Sequence, residues 1–140
     1  MTIKLKRLNK AFHFEATNED GLTATVDGSP AIGGVQGGMR PMEMVLSAVG
    51  SCSAIDVLLL LDKQRQVVED LTITVTGERR EEVPRIFTAI HVQYDFVGEL
   101  NEKKVERACR LSMEKLCSVS LMLKAGGVVV DWGYSAVAKV

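Results

Sequence analysis

A chain of 140 residues, 46% hydrophobic and 25% charged, is expected to form one domain over 1–140 with a core that needs no metal or disulfide staple. Its formal net charge of −1 offers no electrostatic grip on nucleic acid or an anionic membrane, and 5% aromatic residues leave little surface for base stacking. Met1-Thr2-Ile3-Lys4-Leu5 runs straight into alternating apolar and charged residues without a secretory leader, so a cytoplasmic location with three free or redox-active cysteines is expected.

Residues 2–27 read as a small antiparallel sheet: Phe12, Phe14 and Ala16 alternate with His13 and Glu15, Asn18-Glu19-Asp20-Gly21 makes a turn, and Leu22, Ala24 and Val26 alternate again. Residues 28–40 carry six glycines and prolines that end in no Gly-Lys-Ser/Thr, so a flexible connector is favoured over a phosphate loop. Pro41 suits the first turn of a helix over 41–63. Met44, Val45, Leu46, Ala48, Val49, Ala54, Ile55 and Val57 to Leu61 leave that helix no polar face, which predicts burial on every side. The stretch Met42 to Leu61 is long enough to cross a bilayer, but Glu43 and Asp56 interrupt it and argue against a membrane span.

Leu71, Ile73 and Val75 then alternate with threonines, and Ile86, Thr88, Ile90, Val92, Tyr94 and Phe96 share one phase of a second strand, with a polar hairpin over 77–85 between them. Asn101 caps a second helix that ends near Cys117; a short apolar helix from Val119 to Ala125 stops at Gly126-Gly127, and a last strand follows. Strands, helix, strands, helices and strand make an α+β arrangement. One small sheet covers only one side of the apolar helix, so a partner subunit, hence a homodimer, is the simplest source of further cover.

Cysteine is the first candidate for chemistry. Cys52 lies mid-helix in Gly50-Ser51-Cys52-Ser53, Cys117 at the end of the second helix, and Cys109 about two turns before it. All three also suit small buried hydrophobes. A reactive thiol needs its pKa lowered, and Cys117 near a helix C-terminus would have the dipole against it. A cation from Arg7, Arg40, Arg79, Arg80 or Arg85 would have to help. His13 and His91 are isolated and no Cys-x-x-Cys occurs, so no metal site and no cofactor are expected. Asp56, one turn past Cys52, must be paired, wet or protonated, either as a hydrogen-bonded structural group or as the wall of a cleft.

Three blocks stand out: Pro41-Met42-Glu43-Met44-Val45-Leu46 with Gly50-Ser51-Cys52-Ser53-Ala54-Ile55-Asp56-Val57, then Gly77 to Phe87, then Glu114-Lys115-Leu116-Cys117-Ser118-Val119-Ser120. Together they resemble the OsmC/Ohr family (osmotically inducible protein and organic hydroperoxide resistance). They stand in the family's order, and the Cys-Ser-Ala-Ile-Asp run looks closest to a short OsmC-like subgroup. The resemblance implies an OsmC-like α+β fold, with two central helices wrapped by antiparallel sheets in an intertwined homodimer. It also implies a thiol-dependent peroxidase of oxidative stress defence: Cys52 attacks an organic hydroperoxide, becomes a sulfenic acid and condenses with Cys117. A dithiol, often a lipoyl group, then reduces the disulfide. Cys109 is expected to be dispensable.

Active members of the family place a glutamate directly after the helix-starting proline, where it orients an arginine against the thiolate. Here Met42 takes that place and Glu43 follows, a rotation of ~100° along a helix. Glu43 is therefore carried as the third catalytic candidate beside Cys52 and Cys117. The competing reading is a non-catalytic dimer that holds a small apolar ligand in its interface cleft.

Overall fold

The computed structural model describes all 140 residues. Their contacts divide the chain into two compact units, Met1–Val45 and Leu46–Val140.

The first unit is an antiparallel sheet of β1 (Lys4–Arg7), β2 (Phe14–Thr17) and β3 (Thr23–Val26) in the order β1-β2-β3. The β2–β3 turn closes as Asn18-Glu19-Asp20-Gly21 predicts. The Asn18 side chain accepts from the amides of Asp20 at 3.0 Å and Leu22 at 2.9 Å, and Gly21 takes a φ of 80°.

The loop after β3 corrects the expectation of a flexible connector. Asp27 is only 1% exposed, and its carboxylate accepts from the amides of Gly28 at 2.7 Å, Val35 at 2.9 Å and Gly37 at 3.0 Å. The Gly37 bond above all holds its pKa below the ordinary carboxylate value. The chain folds so tightly around this carboxylate that a Cβ on Gly34 would lie 1.9 Å from the Gly28 carbonyl oxygen. The glycines serve close backbone approach, not freedom of movement.

Helix α1 (Pro41–Lys63) starts at Pro41 as expected. Arg40 acts as its N-cap: its carbonyl accepts from Met44 N–H at 3.0 Å, and its own amide donates to Glu43 Oε2 at 2.9 Å. This is the back-reaching half of a capping box.

In the second unit, β4 (Asp70–Arg79), β5 (Phe87–Val97) and β6 (Val129–Val137) form a sheet in the order β4-β5-β6. Ile90, Val92, Tyr94 and Phe96 of β5 are almost fully buried, as their shared phase predicts. Ile86 and Thr88 do not join them. A register shift at Glu78/Arg79 sets Phe87 opposite Arg79, so Phe87 turns inward and Ile86 is left exposed. The sheet is also mixed, not wholly antiparallel. β4 and β5 pair antiparallel, but β5 and β6 pair parallel from Ala89↔Val129 to Val97↔Val137. The reason lies between them: the chain crosses over through helices and returns to the same end of the sheet, as a parallel pair requires.

That crossover is α2 (Glu102–Leu111), a π-turn over Ser112–Leu116 and α3 (Ser118–Ala125). Asn101 caps α2 by accepting from Lys104 N–H, and α3 ends at Gly126, followed by Gly127 with φ 90°. On α1, Val49, Ala54, Val57 and Leu61 are buried. The helix comes so close to β4 that a Cβ on Gly50 would lie 2.7 Å from Val75 Cγ2. Burial on every side is not reached within the single chain: Ile55, Leu58 and Leu59 remain 59%, 40% and 56% exposed. By length and composition α1 could cross a membrane, yet the face it buries here carries Ser53, a polar group hydrogen-bonded inside the unit.

Candidate functional site

Two sequence-distant cysteines meet in the second unit. Cys52, on α1, is half-buried; Cys117, between the π-turn and α3, is fully buried, and both are free thiols. The Cys52 thiol lies near enough to bear on the ionisation of Cys117. Burial first, then the adjacent Cys52 thiol, push the Cys117 pKa up to about 11, against the opposing pull of the Ser120 and Val119 amides.

Those amides correct the electrostatic expectation for Cys117. It does not sit at the unfavourable end of a helix. The π-turn stops the run begun by α2, and Cys117 becomes the N-cap of α3, its sulfur accepting from Ser120 N–H at 3.4 Å. A helix N-terminus favours a thiolate, so here the local dipole works with ionisation and burial works against it.

Cys109 is a different case. It is fully buried on α2, and desolvation pushes its thiol up to about 12. That is the environment of an inert packing cysteine.

A buried polar cluster underlies the cysteine pair, and only one of its members, Asp56, stands out in the sequence. The Tyr94 hydroxyl, from β5, donates to Ser53 Oγ at 2.6 Å. Ser53 Oγ donates to the Gly50 carbonyl at 3.0 Å. Ser112 Oγ, at the start of the π-turn, lies 3.0 Å from the Ser53 carbonyl and 3.3 Å from Asp56 Oδ2. Asp56 is thus held from one side by a buried hydroxyl. Desolvation raises the Tyr94 pKa well above its ordinary value, which keeps the phenol a donor. Serines in an apolar helix carry no spacing signal, and Tyr94 reads simply as a core position of β5.

Glu43 lies in the first unit, where its carboxylate accepts from the Arg40 amide. Arg79, Arg80 and Arg85 donate to carbonyls of their own hairpin, and Arg7 donates to the Ala11 carbonyl. His91 Nδ1 pairs with Asp131 at 2.6 Å on the exposed side of the β4-β5-β6 sheet, while His13 lies over Gly37 in the first unit. No group of three or more His, Cys, Asp or Glu side chains converges as a metal site requires.

Comparison with known proteins adds the lineage. The family described as OsmC-like protein matches residues 33–133. Protein YhfA of Escherichia coli strain K12 is 50% identical over 99 residues, covering 70% of this chain and 73% of that protein. The crystal structure of a hypothetical protein from Aquifex aeolicus VF5 superposes with a TM-score of 0.80 at 35% identity, over 97% of this chain and 96% of that one. The organic hydroperoxide resistance protein OhrB of Bacillus subtilis superposes with a TM-score of 0.68 at 18% identity, over 96% and 98% of the two chains, a likeness of fold.

Proposed function

The chain belongs to the OsmC-like protein family, and from that membership we propose that it is a thiol-dependent peroxidase reducing organic hydroperoxides through Cys52 and Cys117. The observation that carries this reading is the contact between a half-exposed thiol and a buried one. In the first step the Cys52 thiolate attacks the distal peroxide oxygen. The O–O bond breaks, the alcohol leaves after taking up a proton, and Cys52 becomes a sulfenic acid. In the second step the Cys117 sulfur attacks the Cys52 sulfur, the disulfide forms and water leaves. A dithiol of the lipoyl type then reduces the disulfide by exchange and is itself oxidised.

The buried position of Cys117 fits a resolving role. Its thiol, held up at about 11, stays protonated at neutral pH and is not the group that meets peroxide first. Oxidation of Cys52 removes the neighbouring thiol that raises this pKa, while the Ser120 and Val119 amides that lower it remain. Rapid titration of free thiols with cumene hydroperoxide tests the proposal. Two thiols per chain should be lost and one kept; three untouched thiols would remove it.

A catalytic role for Glu43, whose carboxylate accepts from the Arg40 amide, is tested separately. Glu43→Gln keeps an acceptor for the Arg40 amide and removes the charge. Peroxide reduction should slow by roughly tenfold or more while the melting temperature stays within about 2 °C of wild type. An unchanged rate would leave Glu43 a helix cap and nothing else.

The working form in this proposal is a cytoplasmic homodimer. Ile55, Leu58 and Leu59 make an uncovered apolar strip on α1, and covering each would contribute roughly 1 kcal/mol. Light scattering at micromolar concentration should give twice 15.3 kDa. A clean monomer there would remove the intertwined arrangement.

A further inference from the structure

The Cys52–Cys117 contact closes a small circuit through Ser112. Ser53 follows Cys52 on α1. The Ser53 carbonyl faces the Ser112 hydroxyl at 3.0 Å. The Ser112 carbonyl in turn accepts from Cys117 N–H at 2.8 Å, the bond that closes the π-turn. The thiols of Cys117 and Cys52 complete the ring. Ser112 is fully buried, and Asp56 Oδ2, 3.3 Å from its hydroxyl, adds a second acceptor from the same helix. Among the side-chain hydrogen bonds of the π-turn and α3, those of Ser120 and Lys124 reach only the Met113 carbonyl, inside the crossover itself. Those of Ser112 reach α1.

We propose that Ser112 is the positioning residue of the redox pair: its hydroxyl fastens the π-turn to the Cys52 helix and thereby sets how readily Cys117 reaches the Cys52 sulfur. The proposal rests on the peroxidase reading for its physiological meaning, but its physical content concerns the geometry of the pair alone. A π-turn is a wider, locally underwound insertion that costs helical regularity, and such turns recur at functional sites. Here it ends the α2 run so that Cys117 starts a new helix with its sulfur toward Cys52. Without an anchor on α1 the turn could shift and carry Cys117 with it. A disulfide requires Cα atoms roughly 4.4–6.8 Å apart, so a small shift is enough to disfavour the bond.

Ser112→Ala is a mild test. The Ser53 carbonyl keeps its own helical bond on α1, so the substitution orphans no backbone group. Lys124→Met is the control: the Lys124 ammonium donates to the Met113 carbonyl at 2.8 Å, a bond that stays inside the crossover. Each protein is equilibrated with defined ratios of reduced and oxidised glutathione, in which the protein dithiol and oxidised glutathione give the protein disulfide and two reduced glutathiones. The ratio at half-oxidation measures the effective concentration of Cys117 at Cys52. Ser112→Ala should lower that concentration by about fivefold, the size expected for one lost buried hydrogen bond. Lys124→Met should leave it at the wild-type value. Cys109 alkylation should be unchanged in both.

A wild-type effective concentration in Ser112→Ala would overturn the proposal, and so would an equal fall in Lys124→Met. If Ser112→Ala alone falls but the wild-type thiols ignore cumene hydroperoxide, the positioning role stands and the peroxidase reading fails. A wild-type pair that forms no disulfide in oxidised glutathione would overturn both.

Discussion

Cys52→Ser protein is expected to keep its remaining thiols under stoichiometric organic hydroperoxide, while the wild type loses two per chain. The difference follows from the unequal surroundings of the three sulfurs. Cys52 is the only one that solvent reaches; Cys109 and Cys117 are fully buried, with thiols pushed up to about 12 and about 11. Removing Cys52 leaves no accessible thiolate to attack the peroxide. Cys117→Ser should behave differently: Cys52 still reacts, stops at a sulfenic acid that dimedone traps, and climbs to the sulfinic state when peroxide is in excess. Cys109→Ser should match wild type. Mass spectrometry of the intact chains distinguishes the four proteins by added oxygen, lost hydrogen pairs and dimedone adducts. A disulfide containing Cys109, or rapid thiol loss in Cys52→Ser, would sink the assignment and leave the fold untouched.

Gly34→Ala should destabilise the chain by about 3 kcal/mol, the largest stability effect expected of so small a change. The added Cβ would lie 1.9 Å from the Gly28 carbonyl oxygen and 2.9 Å from the Ser29 oxygen, both backbone atoms that cannot rotate away. Moving them would unseat the amides that Asp27 gathers from Gly28, Val35 and Gly37. Gly21→Ala is the contrast. That glycine also has a left-handed φ, 80°, but nothing lies within 4 Å of its would-be Cβ. Its cost should stay near ~1 kcal/mol of backbone strain. Urea denaturation of the two variants separates close contact from strain; equal midpoints would mean the loop has room to spare.

What could be read from the residues, and what could not, divides along physical lines. Alternation is a local signal, so the burial of Ile90, Val92, Tyr94 and Phe96 was legible, as were the helix start at Pro41, the cap at Asn101 and the stop at Gly126. The bulge at Glu78/Arg79 was not, because one inserted residue changes the phase of everything on its far side without leaving a pattern of its own. The parallel return of β6 also escapes a linear reading, since a strand's direction depends on what the intervening helices do. Asp27 is the sharpest omission. It looks like an ordinary turn residue, and only the folded loop reveals that one carboxylate organises the glycines that follow it. At the site, the motif blocks named the two cysteines, but Ser53, Ser112 and Tyr94 act through a network assembled from three elements, and no spacing along one element encodes such a meeting.

The parallel pairing of β5 with β6 has a consequence for how the molecule comes into being. The two strands cannot join until the whole of 98–128 has been laid down and folded back, and Cys117 lies inside that excursion. Such contacts are made late, because the entropy of closing a long loop is spent before the sheet rewards it. Cys52 is therefore synthesised, and its helix exposed, well before the thiol that meets it exists. For the nascent chain the two sulfurs are strangers, and if Cys117 resolves Cys52 as proposed, an oxidant arriving in that interval finds a lone Cys52 with nothing to halt its oxidation short of the irreversible states.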